Sequence, residues 1–116
     1  FFKQKTAYAM LRSLVGSEMC IRDRLLYASD RGLLGTAQLP HGINFMSKYF
    51  QSASLDHAMW FHSKVDFSEW MLYRIDSPIA RNARGFSRGS IFDSKGKLVA
   101  SCVQEGLMRM WDKPKD

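Results

Sequence analysis

The hydrophobic pattern of this chain changes its period once, and that change restricts the fold more than any other feature. Residues 25–38 repeat apolar side chains at a helical spacing. Pro40 and Gly42 then form a turn signal, so we expect the helix to end before Pro40. The chain beyond them is rich in alternating, aromatic and β-branched residues, which is typical of strands. A helix followed by antiparallel strands predicts an α+β domain.

The predicted helix contains two glycines, Gly32 and Gly35. Each glycine costs about 1 kcal/mol relative to alanine inside a helix. We interpret them as positions where an adjacent sheet packs very close to the helix. Asp30 lies in the middle of the same pattern, which is unusual for a charged side chain.

Four strands are predicted as a meander, over residues 53–62, 69–75, 84–93 and 97–110. The first is dominated by aromatic and apolar residues, which predicts burial on both faces. Gly85 and Gly89 in the third strand indicate bending or a close approach of backbone. Residues 93–97 predict a hairpin turn, with Gly96 available for a positive φ.

Composition excludes several classes of protein. The 116 residues are 46% hydrophobic and 24% charged, which is ordinary for one globular domain. No apolar run approaches the roughly 20 residues that span a bilayer. Two cysteines do not form a disulfide framework or a metal site by themselves. Neither a metal nor a cofactor is expected.

The net charge of +6 suggests a nucleic-acid partner at first sight. Residues 1–24, however, carry five basic and two acidic side chains, so half of the excess lies in that segment. Elsewhere basic residues alternate with acidic ones, and no aromatic–basic motif is present. We therefore predict no nucleic-acid binding; a salt-sensitive retention on a polyanion would contradict this.

Residues 1–24 closely resemble a translated sequencing adapter, FFKQKTAYAMLRSLVGSEMCIRDR. We expect this leader not to belong to the natural protein. The predicted organisation is a non-native leader over 1–24, one domain over 25–110 that is truncated on its N-terminal side, and a polar tail over 111–116.

The segment Ser54-Leu55-Asp56-His57 looks like a compressed hydrolase triad. In a regular strand, Ser54 and Asp56 face one side of the sheet and His57 faces the other. A general base must lie about 2.6–3.2 Å from its nucleophile, so the pattern predicts no Ser–His pair. His57 and His62 also fall on opposite faces, which argues against a metal site.

Two polar residues interrupt apolar patterns. Asp30 interrupts the helix, and Gln104 shares a strand face with apolar and small residues, namely Leu98, Ala100, Cys102, Gly106 and Met108. An unpartnered polar group there costs roughly 1–3 kcal/mol. A solvated aspartate and an edge-strand glutamine are the simpler explanations. Pattern alone leaves both interpretations open.

Three arginines, Arg81, Arg84 and Arg88, lie before and within the third strand. Guanidinium groups bind phosphates through two hydrogen bonds at once, so Arg84 and Arg88 are candidate substrate-binding residues. A solvated rim of the sheet explains the same cluster. No glycine-rich phosphate loop lies between a strand and a helix.

Five motifs in order resemble the C-terminal repeat of the acyl-CoA thioesterase II family. They are YASD at 27–30, PHGINF at 40–45, SLDHAMWFH at 54–62, ARGFSRG at 83–89 and LVASCVQEGLMR at 98–109. The resemblance implies a hotdog fold, in which an antiparallel sheet wraps a long helix. It also implies two repeats per chain and a homo-oligomeric protein, so this chain is expected to need a second, N-terminal repeat.

The same resemblance implies a catalytic set that holds a hydrolytic water: Asp30 of YASD, Ser54 before LDH and Gln104 of VQEG. It implies fatty acyl-CoA as the substrate. The run after YASD departs from the family at Arg31 and Gly32, which affects the expected acyl pocket. A non-catalytic hotdog domain that binds acyl chains or supports dimerisation is the alternative.

The family implies an intracellular protein, cytoplasmic or peroxisomal, and the chain shows no C-terminal Ser-Lys-Leu signal. Because a half hotdog exposes a sheet face or edge meant for its partner, we expect the chain alone to aggregate or to be inactive.

Overall fold

A computed structural model describes residues 2–3, 18–44, 46–66 and 68–114 of the chain. A helical layer packs on one face of a five-stranded antiparallel sheet. The strands are β1 (Phe2–Lys3), β2 (Phe50–Phe61), β3 (Leu72–Arg81), β4 (Arg84–Phe92) and β5 (Leu98–Met110), and their order across the sheet is β1-β3-β4-β5-β2. This confirms the predicted α+β class.

Among the residues that the structure describes, the helical layer has two helices, α1 (Glu18–Ser29) and α2 (Leu33–Gln38), followed by a 3₁₀ turn over Leu39–His41. The prediction of one uninterrupted helix was wrong at Gly32, whose φ of 92° is left-handed and ends the helical path. Asp30 therefore lies in the turn that follows α1, not in the middle of a helix.

Four predicted strands are present, with the second displaced toward the C-terminus, but the meander was wrong at its start. β3, β4 and β5 do form a meander through short turns, whereas β2 pairs with β5 instead of β3. The ten residues 62–71 that follow β2 are long enough to permit this crossing. A fully extended segment of ten residues reaches roughly 33 Å. The distance from β2 across β5 and β4 to β3 is three strand spacings, or about 14 Å.

The prediction that β2 is buried on both faces was also wrong. Leu55 and Trp60 are each 53% exposed. β2 lies at the edge of the described sheet, and the described helices pack on the face of the sheet opposite to Trp60. Aromatic content alone does not distinguish an edge strand from a central one.

Glycines on the strands, not those in the helix, allow the two layers to approach each other. A Cβ on Gly106 would lie 2.4 Å from Leu34 Cδ1, and one on Gly85 would lie 2.6 Å from Ala37 Cβ, and both of these contacts are with α2. The close approach predicted for Gly85 and Gly89 is confirmed. A Cβ on Gly35 would meet nothing within 4 Å, so our interpretation of the helix glycines was wrong.

The main core lies between the helices and the β3–β5 part of the sheet. Its buried members are Leu25, Ala28, Leu33, Met71, Tyr73, Ile91, Val99, Ala100 and Cys102. Gly96 has a φ of 84°, as predicted for the turn between β4 and β5. That turn and the two-residue turn at Asn82–Ala83 set the register of β3, β4 and β5.

Candidate active site

The three residues singled out as a catalytic set meet where α1 ends against β2 and β5. Gln104 Nε2 donates a hydrogen bond to Ser54 Oγ at 2.8 Å. Ser54 Oγ lies 3.5 Å from Asp30 Oδ1, at the outer limit of a hydrogen bond. Side chains separated by up to 74 positions in the sequence therefore form one polar chain.

The exposure to solvent differs among the three side chains of this polar series. Gln104 is only 2% exposed, whereas Asp30 and Ser54 both face solvent. Gln104 shares its face of β5 with Ala100, Cys102, Gly106 and Met108, as predicted; Leu98, which was expected there, is 38% exposed instead. A buried amide is held in place by its surroundings, while the exposed carboxylate and hydroxyl remain accessible to water and to a ligand.

A β-bulge at Leu55 determines which side chains of β2 face this site. Ser54 pairs with Gly106 and Asp56 pairs with Glu105, so Leu55 is an extra residue without a partner position on β5. One extra residue reverses the alternation of side chains beyond it. Ser54 and His57 consequently lie on the same face, and the prediction that they face opposite sides was wrong.

His57 joins the site through both of its ring nitrogens. Nδ1 lies 2.7 Å from Gln104 Oε1, and Nε2 lies 2.9 Å from Ser29 Oγ. Because both nitrogens are occupied, His57 is not the base of a Ser54 nucleophile. Sequence reasoning set His57 aside because a strand was assumed to alternate strictly, and no residue near Leu55 signals the bulge.

The inner end of the site is buried and neutral. The Tyr73 hydroxyl donates to the backbone oxygen of Ser29, the last residue of α1, and also lies 3.2 Å from Cys102 Sγ. Burial raises the pKa of the Tyr73 hydroxyl and of the Cys102 thiol. Both groups therefore keep their protons at neutral pH, so Cys102 does not supply a thiolate nucleophile.

Arg84 and Arg88 do not join the other candidate residues. Ser87 bonds to the backbone oxygen of Leu33, so Arg84 and Arg88 lie on the opposite face of β4, away from the helices. Arg84 pairs with Glu105 and Arg88 pairs with Asp76, all exposed. The sheet thus separates both arginines from Asp30, Ser54 and Gln104.

Within the described ranges, no group of three or more His, Cys, Asp or Glu side chains is arranged to hold a metal ion. No helix in the same ranges is long and apolar enough to cross a membrane.

Solved structures with the same arrangement define the fold class. The chain superimposes on the crystal structure of an acyl-CoA thioesterase II, TesB2, from Mycobacterium marinum with a TM-score of 0.74 and 39% identity, over 88% of this chain and 40% of that one. A hot-dog-like protein from Thermanaerovibrio acidaminovorans gives a TM-score of 0.59 at 16% identity, over 78% and 62% of the two chains. The domain is a hotdog fold, as the sequence resemblance implied.

Sequence comparison then identifies the family. The acyl-CoA thioesterase family model matches residues 2–107. Acyl-coenzyme A thioesterase 8 of Mus musculus is 43% identical over 84 residues, which cover 72% of this chain. The chain belongs to the acyl-CoA thioesterase family. It spans about a quarter of the mouse relative, since the match covers 26% of that protein.

The predicted division at residue 24 stays a prediction. The family match includes positions within 1–24, and α1 begins inside that segment at Glu18. Residues 4–17 lie outside the described part of the structure.

Proposed function

We propose that this chain supplies a catalytic half-site of an acyl-CoA thioesterase, which hydrolyses fatty acyl-CoA to a free fatty acid and CoA. The observation that carries the proposal is the polar chain from Gln104 through Ser54 to Asp30. It sets a carboxylate, a hydroxyl and an amide around one solvent-facing point. Family membership supplies the substrate class.

In this mechanism a water molecule is the nucleophile. Asp30 accepts a proton from the water as its oxygen attacks the thioester carbonyl carbon. Ser54 and Gln104 orient the water, which supplies the positioning that a reaction in bulk solvent lacks. The tetrahedral intermediate then expels the CoA thiolate as the C–S bond breaks, and the thiolate takes up a proton. Because a thiolate is a good leaving group, no strong general acid is required.

The supporting geometry is on one face of the sheet. Asp30 follows the end of α1, Ser54 faces the site from the regular part of β2 before the bulge, and Gln104 is anchored in the core. Arg84 and Arg88 have carboxylate partners on the other face, so the mechanism assigns them no step. A role for them in holding the CoA phosphates remains a separate hypothesis.

We also propose that activity requires a second hotdog repeat. The chain covers about a quarter of its mouse relative, and β2 presents an exposed edge strand with apolar side chains on its outer face. Exposed edges of this kind pair with another strand or cause aggregation. The complete protein is then a double hotdog that assembles into an oligomer, as the family resemblance implies.

The test is the release of free thiol from a fatty acyl-CoA by the protein that includes the residues encoded upstream of this chain. Asp30→Asn removes the general base without changing side-chain size. We expect kcat to fall about 100-fold or more, within the range for loss of a general base. Asp112→Asn makes the same change at an exposed position of the C-terminal tail and should leave turnover unchanged.

Three outcomes would each contradict a part of the proposal. Near-normal turnover by Asp30→Asn would exclude its role as base. Absence of any thiol release from the complete protein would favour the alternative, a non-catalytic hotdog that binds acyl chains or supports dimerisation. Clear turnover by the 116-residue chain alone would show that the second repeat is not required.

A further inference from the structure

The imidazole of His57 has no part in the proposed mechanism, although it lies between two elements of the site. Its Nε2 is 2.9 Å from Ser29 Oγ at the end of α1, and its Nδ1 is 2.7 Å from Gln104 Oε1 on β5. The ring is partly buried. It connects the helix to the amide that faces Ser54.

The hydrogen-bond donors and acceptors around Gln104 determine where His57 carries its proton. Gln104 Nε2 donates to Ser54 Oγ, which leaves Gln104 Oε1 facing the imidazole. A carbonyl oxygen accepts hydrogen bonds and does not donate them. Nδ1 of His57 must therefore carry a proton for the 2.7 Å contact to be favourable.

Rotating the Gln104 amide by 180° would break the hydrogen-bonded series of side chains at the contact between Ser54 and Asp30. Its NH₂ would then donate to His57, and its oxygen would take the Ser54 proton. The lone pairs of Ser54 Oγ would then face the Asp30 carboxylate, and this contact is unfavourable because both groups are hydrogen-bond acceptors. With NH₂ toward Ser54, the Ser54 hydroxyl is free to donate to Asp30, so every contact from His57 to Asp30 is satisfied.

On the other side of the ring, His57 Nε2 contacts Ser29, the last residue of α1. Ser29 is fully buried, and its hydroxyl has one proton for two neighbours, the backbone oxygen of Leu26 at 2.7 Å and His57 Nε2 at 2.9 Å. When a neutral His57 carries its proton on Nδ1, Nε2 is the acceptor and takes the Ser29 proton. The Tyr73 hydroxyl donates to the backbone oxygen of Ser29. These contacts fix the end of α1, and His57 transmits that position to Gln104.

We propose that His57 is a positioning residue whose Nδ1–H holds the Gln104 carboxamide with its NH₂ group toward Ser54 and Asp30. This inference rests on the proposed function, because the amide orientation matters when Gln104 orients the hydrolytic water. Without the Nδ1–H donor, the amide is free to turn over, and the water loses a donor and a fixed position.

Three substitutions at His57 separate positioning from simple packing. In the protein assayed for thiol release, His57→Ala should lower kcat about 10- to 100-fold with little change in KM, as is typical when a supporting hydrogen bond is lost. His57→Asn should recover most of the rate, because its side-chain N–H occupies the place of Nδ1–H. His57→Gln should behave like His57→Ala, because its amide reaches toward Ser29 instead.

His62→Asn is the matched control, since His62 lies five residues further along the chain and bonds through Nε2 to Ser101 on the surface. It should leave kcat unchanged. Unaltered kcat in His57→Ala would overturn the proposal. So would equal losses in His57→Ala and His57→Asn, which would indicate a packing role.

A second readout does not depend on turnover. Long-range ¹⁵N–¹H spectra of the imidazole groups report which ring nitrogen is protonated, and the His57→Asn spectrum assigns the His57 signals. We expect a protonated Nδ1; an imidazole protonated only at Nε2 would overturn the proposal whatever the kinetics. If Asp30→Asn keeps full turnover while Nδ1 is protonated, the proposed function fails and the orientation of Gln104 stands.

Discussion

At the scale of single residues, the site depends on side chains whose donors and acceptors match in only one arrangement. Gln104 has two different ends, and each faces a different partner: His57 on one side and Ser54 on the other. Of these three, motif resemblance pointed to Ser54 and Gln104, while His57 was visible but assigned to the wrong face. A polar residue that breaks an apolar pattern is a useful signal, because such residues are expected at functional sites.

The turn between β3 and β4 contains a residue that is strained for its type. Asn82 and Ala83 both have positive φ, 55° and 57°, as a type I′ hairpin turn requires. Asparagine tolerates this region, whereas the left-handed conformation costs an alanine about 1 kcal/mol or more of conformational free energy. Ala83→Gly should therefore raise the free energy of unfolding by up to about 1 kcal/mol, measured by urea denaturation.

Asn82→Gly serves as the comparison for Ala83→Gly. Because asparagine already tolerates a left-handed conformation, its replacement should give a smaller gain or none. The backbone oxygen of Ala83 accepts a bond from Met108 N at 2.7 Å, which holds the turn against β5 in both variants. A loss of stability in Ala83→Gly would show that the turn is not strained.

At the scale of elements, glycine positions show how closely side chains pack over the sheet. A Cβ on Gly89 would press on the Tyr73 ring at 2.4 Å and on Cys102 Sγ at 2.7 Å. The hydroxyl of Tyr73 is tied to Ser29, so the ring has little freedom to move. Gly89→Ala should lower the free energy of unfolding by about 1–3 kcal/mol, as overpacking of a core does.

Alanine substitutions at two further glycines serve as comparisons for Gly89→Ala. Gly106→Ala would meet the end of the Leu34 side chain, which can rotate away, so its cost should be smaller. Gly35→Ala meets nothing within 4 Å in α2 and should stabilise the fold by up to about 1 kcal/mol through helix propensity. Equal stability of the Gly89→Ala and Gly35→Ala variants in urea would contradict this account of core packing.

Local patterns predicted the elements better than their connections. The strands over 84–92 and 98–110 and the turn at Gly96 follow from alternation and turn residues, which act over a few positions. The bulge at Leu55 and the pairing of β2 with β5 depend on contacts between distant segments. No short pattern encodes those contacts, so the faces of β2 were assigned wrongly beyond the bulge.

The helix break illustrates the same limit. Gly32 was noted in the sequence, but a glycine inside an apolar helical pattern fits both a close packing contact and a left-handed turn. The structure shows the turn, and it is this turn that places Asp30 beside Ser54. Motif resemblance identified Asp30, Ser54 and Gln104 without any knowledge of that geometry.

At the scale of the whole molecule, the buried hydroxyl of Tyr73 and thiol of Cys102 make stability depend on pH. Burial raises the pKa of each group in the folded state, so the unfolded chain loses these protons first as pH rises. Their contribution is fully present below the unfolded pKa of cysteine, about 8.5, and declines above it. The free energy of unfolding should fall by up to about 1.4 kcal/mol per pH unit for each proton released.

This pH dependence is tested by comparing the Cys20→Ala variant with the double variant Cys20→Ala, Cys102→Ala. The two proteins then differ only in the Cys102 thiol. Urea unfolding at pH 7.5, 8.5 and 9.5 should show a clear decline with Cys102 present and a flatter one with alanine there. The unfolded pKa of tyrosine is about 10, so Tyr73 contributes mainly above this range. Equal slopes in the two proteins would mean that the Cys102 thiol titrates alike in the folded and unfolded states, contrary to its burial against Tyr73.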